Sequence, residues 1–62
     1  SGLAFAVLPG LMAKGWANKD SLIVVEISKD EASTLPPGFE LIDDRRYGVA
    51  RFLLITPAEN AF

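Results

Sequence analysis

The chain has 62 residues, a formal net charge of −2, and neither cysteine nor histidine. Without these residue types it has no internal disulfide, no thiolate metal site, no zinc finger and no Ser-His-Asp or Cys-His catalytic centre. Apolar burial and chain ordering each amount to about 90 kcal/mol for a single unit of this size, so a second polypeptide is the expected source of further stability. The acidic balance argues against autonomous nucleic-acid binding, which usually needs a basic patch.

An apolar segment from Leu3 to Lys14 predicts a helix at the start of the chain. Phe5 and Met12 are expected on one side of it, opposite a stripe with the three-and-four spacing of a buried helix face. That predicted stripe consists of Leu3, Ala4, Val7, Leu8 and Leu11.

Three residues of this segment predict where the helix begins, bends and ends. Pro9 either kinks the helix or lies in the first turn of a shorter helix that begins near Leu8. Gly15 suits the left-handed position after the last turn, and the Trp16 ring is then expected to fold back onto Leu11.

The run Leu22 to Val25, followed by Glu26-Ile27, predicts a strand. Four consecutive apolar residues favour a strand buried on both faces, as in the interior of an α/β sheet. The alternative is a strand with one buried face in an antiparallel sheet. A polar loop is expected over residues 28–38, closed by the turn residues Pro36-Pro37-Gly38.

Two β-rich runs, Phe39 to Arg46 and Val49 to Thr56, predict a C-terminal antiparallel hairpin. If Tyr47-Gly48 forms the two-residue loop, Asp44 lies opposite Arg51 and Ile42 lies opposite Leu53. Pro57 is expected to end the second strand because proline cannot donate to the ladder. Residues 58–62 are expected to form a frayed tail.

The only basic cluster, Arg45-Arg46-Tyr47, is a candidate contact for RNA or a protein partner. Nearby acids favour a solvated hairpin tip instead. Asp43 and Asp44 point to opposite faces of a strand, so they do not form a shared acid–base or metal site unless a bulge intervenes. Leu35 to Gly38 lacks the polar and aromatic residues that flank the two prolines in methyltransferase catalytic loops. No catalytic, cofactor-binding or metal-binding residue is therefore assigned.

Four pieces of the sequence, in this order, resemble the C-terminal third of the bacterial methyltransferase family that methylates a guanine N2 of 16S ribosomal RNA. The resemblance covers about residues 2–56, although Pro9 departs from the uninterrupted helix of the family. The matching pieces are Gly15-Trp16, Leu22 to Glu26, Leu35 to Leu41, and Asp44 to Gly48 with Ala50-Arg51.

This resemblance implies an α+β fragment of a Rossmann-like, S-adenosylmethionine-dependent α/β domain: an N-terminal helix, one buried strand and a closing antiparallel hairpin. The family's glycine-rich cofactor loop, acidic ribose-binding residue and Asn/Asp-Pro-Pro-Tyr/Phe motif would lie before Ser1. The chain alone is then expected to be inactive and to bind no cofactor. Its partner would be the rest of the parent domain, with ribosomal RNA as the parent's substrate and the cytoplasm as the location. The missing initiating Met agrees with a fragment.

The second hypothesis is an autonomous α+β module for protein interaction or dimerisation, without enzymatic activity. Apolar residues outside the helix stripe and an open strand edge both favour pairing with another chain. The residues expected to mediate this self-association are Phe5, Met12, Leu22 and Val24.

Overall fold

The computed structural model describes residues 3–32 and 34–59. Two short helical segments are followed by three strands that form one antiparallel sheet in the order β1-β3-β2. This is a small α+β fold, as the sequence predicts. The elements are α1 (Leu3–Ala6), α2 (Leu8–Ala13), β1 (Ile23–Ser28), β2 (Phe39–Tyr47) and β3 (Ala50–Pro57).

Pro9 explains why the helix is broken at Val7. Proline has no N–H to donate, and its ring crowds the carbonyl of the residue four positions earlier, here Phe5. Helix α2 therefore begins afresh, with Val7 as its N-cap and Pro9 in its first turn. The Leu11 amide donates to the Val7 carbonyl at 3.2 Å. The prediction of a kinked or late-starting helix is confirmed.

The predicted helix stripe is correct only in part. Leu8 is buried and Leu11 packs against the core as predicted, whereas Val7 is exposed. Phe5 and Met12, predicted on the other side, also contact the core, because burying large side chains removes more apolar surface from water. The side chains of Leu3 and Ala4 lie outside the described part of the structure.

The end of α2 is a Schellman motif. Gly15 has φ +74°, and the amides of Gly15 and Trp16 donate to the carbonyls of Met12 and Leu11 at 3.1 and 2.9 Å. The predicted glycine stop is confirmed. The packing predicted for the Trp16 ring is wrong, since Trp16 is 77% exposed and has the Lys14 Nζ 5.6 Å from its ring centroid. Trp16 therefore contacts Leu11 through its backbone amide and not through its ring.

The prediction that β1 is buried on both faces is wrong. Residues along β1 alternate between inward and exposed positions, and β3 is its hydrogen-bonded neighbour. The alternative of one buried face is therefore correct. The helical segments cover one face of the sheet, where Ile27, Phe39, Leu53 and Ile55 complete the core with Phe5 and Leu8.

The hairpin exists, but its predicted loop and register are wrong. Tyr47 pairs with Ala50, so Gly48 and Val49 form the loop. Gly48 has φ +60°, as a first loop residue of type II′ requires. Asp44 lies opposite Leu53, and a β-bulge between Leu41 and Asp43 leaves Ile42 outside the pairing.

Both proline-containing ends of the hairpin follow the predictions. The turn before β2 contains Gly38 with φ +91°, and β3 ends at Pro57. The Ala58 amide donates to the Gly38 carbonyl at 2.7 Å, which ties the beginning of the predicted tail to this turn. Residues 60–62 of that tail lie outside the described residues.

Candidate functional site

The three residues of the basic cluster lie at the end of β2 and are all exposed, but they do not share one face. Alternation along the strand places Arg46 on the helix side, opposite Arg51. Arg45 and Tyr47 lie on the other side, which we call the outer face of the sheet. Tyr47 contacts Phe52 of β3 there, edge to face, with ring centroids 5.9 Å apart. The predicted contact patch is therefore divided between two surfaces.

Arg45 is neutralised within its own strand. Its Nε lies 2.6 Å from Oδ2 of Asp43. This hydrogen bond, helped by the Asp44 amide at 2.8 Å, lowers the pKa of the Asp43 carboxyl below its usual value. The same contact, with a smaller contribution from Tyr47, raises the pKa of the Arg45 guanidinium. A phosphate at this position would have to compete with the Asp43 carboxylate.

The helix side of the sheet contains a second arginine–aspartate pair. Arg51 is only 9% exposed, and its Nε and Nη2 donate to Oδ1 and Oδ2 of Asp44 at 2.9 and 2.6 Å. A third donor, Nη1, reaches the Glu31 carbonyl at 3.2 Å and so fastens the loop after β1. The hydrogen bond from Arg51 lowers the pKa of Asp44, and the charge of Arg46 acts in the same direction. The contact between Arg51 and Asp44 has the geometry of a structural ion pair.

The outer face has an apolar centre and charged margins. Leu54 and Phe52 of the central strand are half-buried, and Val24 beside Leu54 is 59% exposed. Glu26 lies opposite Phe52 from β1, and Arg45 lies opposite Phe52 from β2. Phe52 and Leu54 were not identified from the sequence, because the unbroken run from Phe52 to Ile55 does not reveal which residues face the helices. Arg51 at the start of this run suggests the opposite phase, because arginine is usually exposed, whereas here it is buried on the helix side.

The four residues predicted for self-association fall into two groups. Phe5 is buried and Met12 packs against the core, so the chain itself covers them. Leu22 and Val24 are exposed, at 60% and 59%. Both lie at or next to β1, whose second edge has no neighbouring strand within residues 3–32 and 34–59.

The described part of the chain contains no detected pocket and no group of three acidic side chains placed to hold a metal ion. No helix within the same residues is long and apolar enough to cross a membrane. Comparisons with protein-family models, with curated proteins and with solved structures find no match.

Proposed function

We propose that this chain is the C-terminal structural segment of an S-adenosylmethionine-dependent methyltransferase that modifies a guanine N2 of 16S ribosomal RNA, and that it is inactive alone. The observation that carries this proposal is the position of β1. In the parent fold implied by the sequence resemblance, this strand has a neighbour on each side. Here the hairpin supplies one neighbour through β3, and the other edge of β1 is open within the described residues.

The two outer edges of the sheet differ in a way that supports this proposal. Strand β2 contains a bulge next to four consecutive charged residues, Asp43 to Arg46, and such features protect an edge from pairing. Strand β1 keeps an unbroken register over Ile23–Ser28, with neither proline nor lysine. The edge of β1 is therefore suited to accept another strand, as a segment of a larger sheet requires.

The proposal assigns the chemistry to the parent domain. The glycine-rich cofactor loop, the acidic ribose-binding residue and the catalytic motif would precede Ser1, and ribosomal RNA would be bound mainly by those parts. The cytoplasm, where ribosomes are assembled, is the corresponding location. This chain would complete the sheet and cover it with α1 and α2.

The open outer face favours the second candidate function, an autonomous interaction or dimerisation module.

The coding sequence before Ser1 distinguishes the two candidates. We expect an in-frame Asn/Asp-Pro-Pro-Tyr/Phe motif shortly before Ser1 and a glycine-rich strand–loop–helix further upstream. A start codon at residue 1 would contradict the methyltransferase proposal and favour the autonomous interaction module.

A further inference from the structure

The edge of β1 that faces away from β3, here called the open edge, has no neighbouring strand within the described residues. The hydrogen bonds between β1 and β3 determine which backbone groups face it. The Lys29 amide donates to the Val49 carbonyl at 3.2 Å, and this pair continues the register of the two strands. Bonded pairs alternate along an antiparallel ladder, so the odd-numbered residues of β1 bond to β3. The backbone N–H and C=O groups of Val24 and Glu26 therefore point toward the open edge.

A second hydrogen bond gives the same phase at the beginning of β1. Thr56 Oγ1 donates to the carbonyl of Ser21 at 2.9 Å, so this odd-numbered residue also faces β3. Continuation of the register places Ser21 opposite Pro57, which has no N–H to offer that carbonyl. The hydroxyl of Thr56 takes the place of the missing donor.

The L configuration of the residues determines on which side of β1 the open edge lies. The odd-numbered side chains of β1 point to the helix side, where Ile27 belongs to the core and Ile23 and Val25 pack against it. We view the sheet from that side, with β1 running upward. An L-residue whose side chain points at the observer then has its Hα on the left and its N–H and C=O on the right. Strand β3 is therefore to the right of β1, and the open edge is to the left.

The helical segments before β1 have the length and position of a crossover connection. Residues 3–22 contain α1, α2 and the connection to β1, which is enough chain to join two parallel strands. Crossovers between parallel strands are right-handed in about 98% of cases. With its helix toward the observer, a right-handed crossover leads from a strand on the left to a strand on the right. The handedness rule therefore places a strand preceding α1 at the open edge, in agreement with the hydrogen-bonding phase.

We propose that the open edge of β1 binds a strand formed by residues before Ser1, parallel to β1 and joined to it by a right-handed crossover through α1 and α2. This strand bonds to the backbone groups of Val24 and Glu26. The inference rests on the proposed function only in requiring a longer chain. A second copy of this chain could satisfy the same backbone groups, but a two-fold axis would pair the two β1 strands antiparallel and give the crossover no strand from which to start.

Amide hydrogen exchange, measured for each residue by NMR, tests this proposal. The samples are the 62-residue chain and the longer in-frame chain that the proposed function expects. In the 62-residue chain, the amides of Val24 and Glu26 should exchange at least ~tenfold faster than those of Val25 and Ile27, which are the internal controls. In the longer chain, all four amides should be protected, and nuclear Overhauser contacts should show a parallel neighbour.

Three results would overturn the proposal. The first is a folded longer chain in which the amides of Val24 and Glu26 exchange as fast as in the 62-residue chain. The second is a close Hα–Hα contact between Val25 and the new neighbour, which occurs only in antiparallel pairs. The third is protection of Val24 and Glu26 in the 62-residue chain that rises with protein concentration, which would assign the edge to a second copy.

The same measurement separates this proposal from the methyltransferase assignment. A longer chain with a parallel strand beside β1 that transfers no methyl group to ribosomal RNA would refute the assignment and retain the strand. An active longer chain with unprotected amides at Val24 and Glu26 would refute the strand and retain the assignment.

Discussion

Asp44 and Arg51 are joined by two hydrogen bonds although they are not opposite each other in the hairpin. Asp44 pairs in register with Leu53, and its carboxylate reaches diagonally to the Arg51 guanidinium at 2.6 and 2.9 Å. Arg46, which lies directly opposite Arg51, would otherwise repel it. The carboxylate of Asp44 therefore allows two arginines to occupy one face of neighbouring strands.

This pair predicts a loss of stability in acid. The pKa of Asp44 is lower in the folded chain than the value of about 3.9 typical of an unfolded one. The pair therefore contributes its full stability above the unfolded pKa, and this contribution is lost as the pH falls through the folded pKa. Urea denaturation should show Asp44→Asn to be less stable than wild type at pH 7, with the difference shrinking toward pH 2. Glu40→Gln is the control; parallel pH profiles for wild type and Asp44→Asn would refute the prediction.

Neighbouring leucines of β3 should differ sharply in their contribution to stability. Leu53 is fully buried against the helices, whereas Leu54 lies half-buried on the outer face. Leu53→Ala should lower the free energy of unfolding by about 3 kcal/mol, and Leu54→Ala by about 1 kcal/mol. Chemical denaturation at low protein concentration measures both. Equal losses would contradict the assignment of the two faces.

Two glycines of the first segment should respond to alanine in opposite directions. A Cβ at Gly10 meets nothing within 4 Å and lies within α2, so Gly10→Ala should stabilise the chain by about 1 kcal/mol. Gly15 has φ +74°, where a side chain is strained, so Gly15→Ala should destabilise it by about 1 kcal/mol. Thermal denaturation of the two variants and the wild-type chain measures both changes in stability. A gain from Gly15→Ala would contradict the left-handed helix end.

The chain alone should not bind S-adenosylmethionine. None of the family's cofactor-binding motifs is present in its sequence. Titration calorimetry with the purified chain should give only heats of dilution. A saturable signal in the micromolar range would show that these residues form a cofactor site, and it would contradict the assignment of that site to the parent domain.

Local signals in the sequence were sufficient for the element order, the helix break and the helix end. Pro9 and Gly15 act through the backbone of their own turn, so their effects do not depend on the rest of the fold. The antiparallel hairpin was also predictable, because two β-rich runs flank Gly48. Pro57 marked the end of the last strand for the same local reason.

Features that depend on tertiary packing were not predictable in this way. An apolar run such as Leu22 to Val25 is compatible with an inner strand or with an edge strand that leaves Val24 exposed. The hairpin register failed because Gly48 takes the first loop position, and because the bulge at Ile42 removes one residue from the count. The three-and-four spacing also did not predict that Phe5 is buried and Val7 exposed, because it does not weigh the size of the side chains.

Methyl transfer to 16S ribosomal RNA tests the proposed function most directly. The longer in-frame chain that the proposal expects and the 62-residue chain would each be incubated with unmodified RNA and S-adenosylmethionine carrying a labelled methyl group. Mass spectrometry of the digested nucleosides should find labelled N2-methylguanosine with the longer chain and none with the 62-residue chain. Labelled product from the short chain alone, or no product from a folded longer chain, would contradict the account.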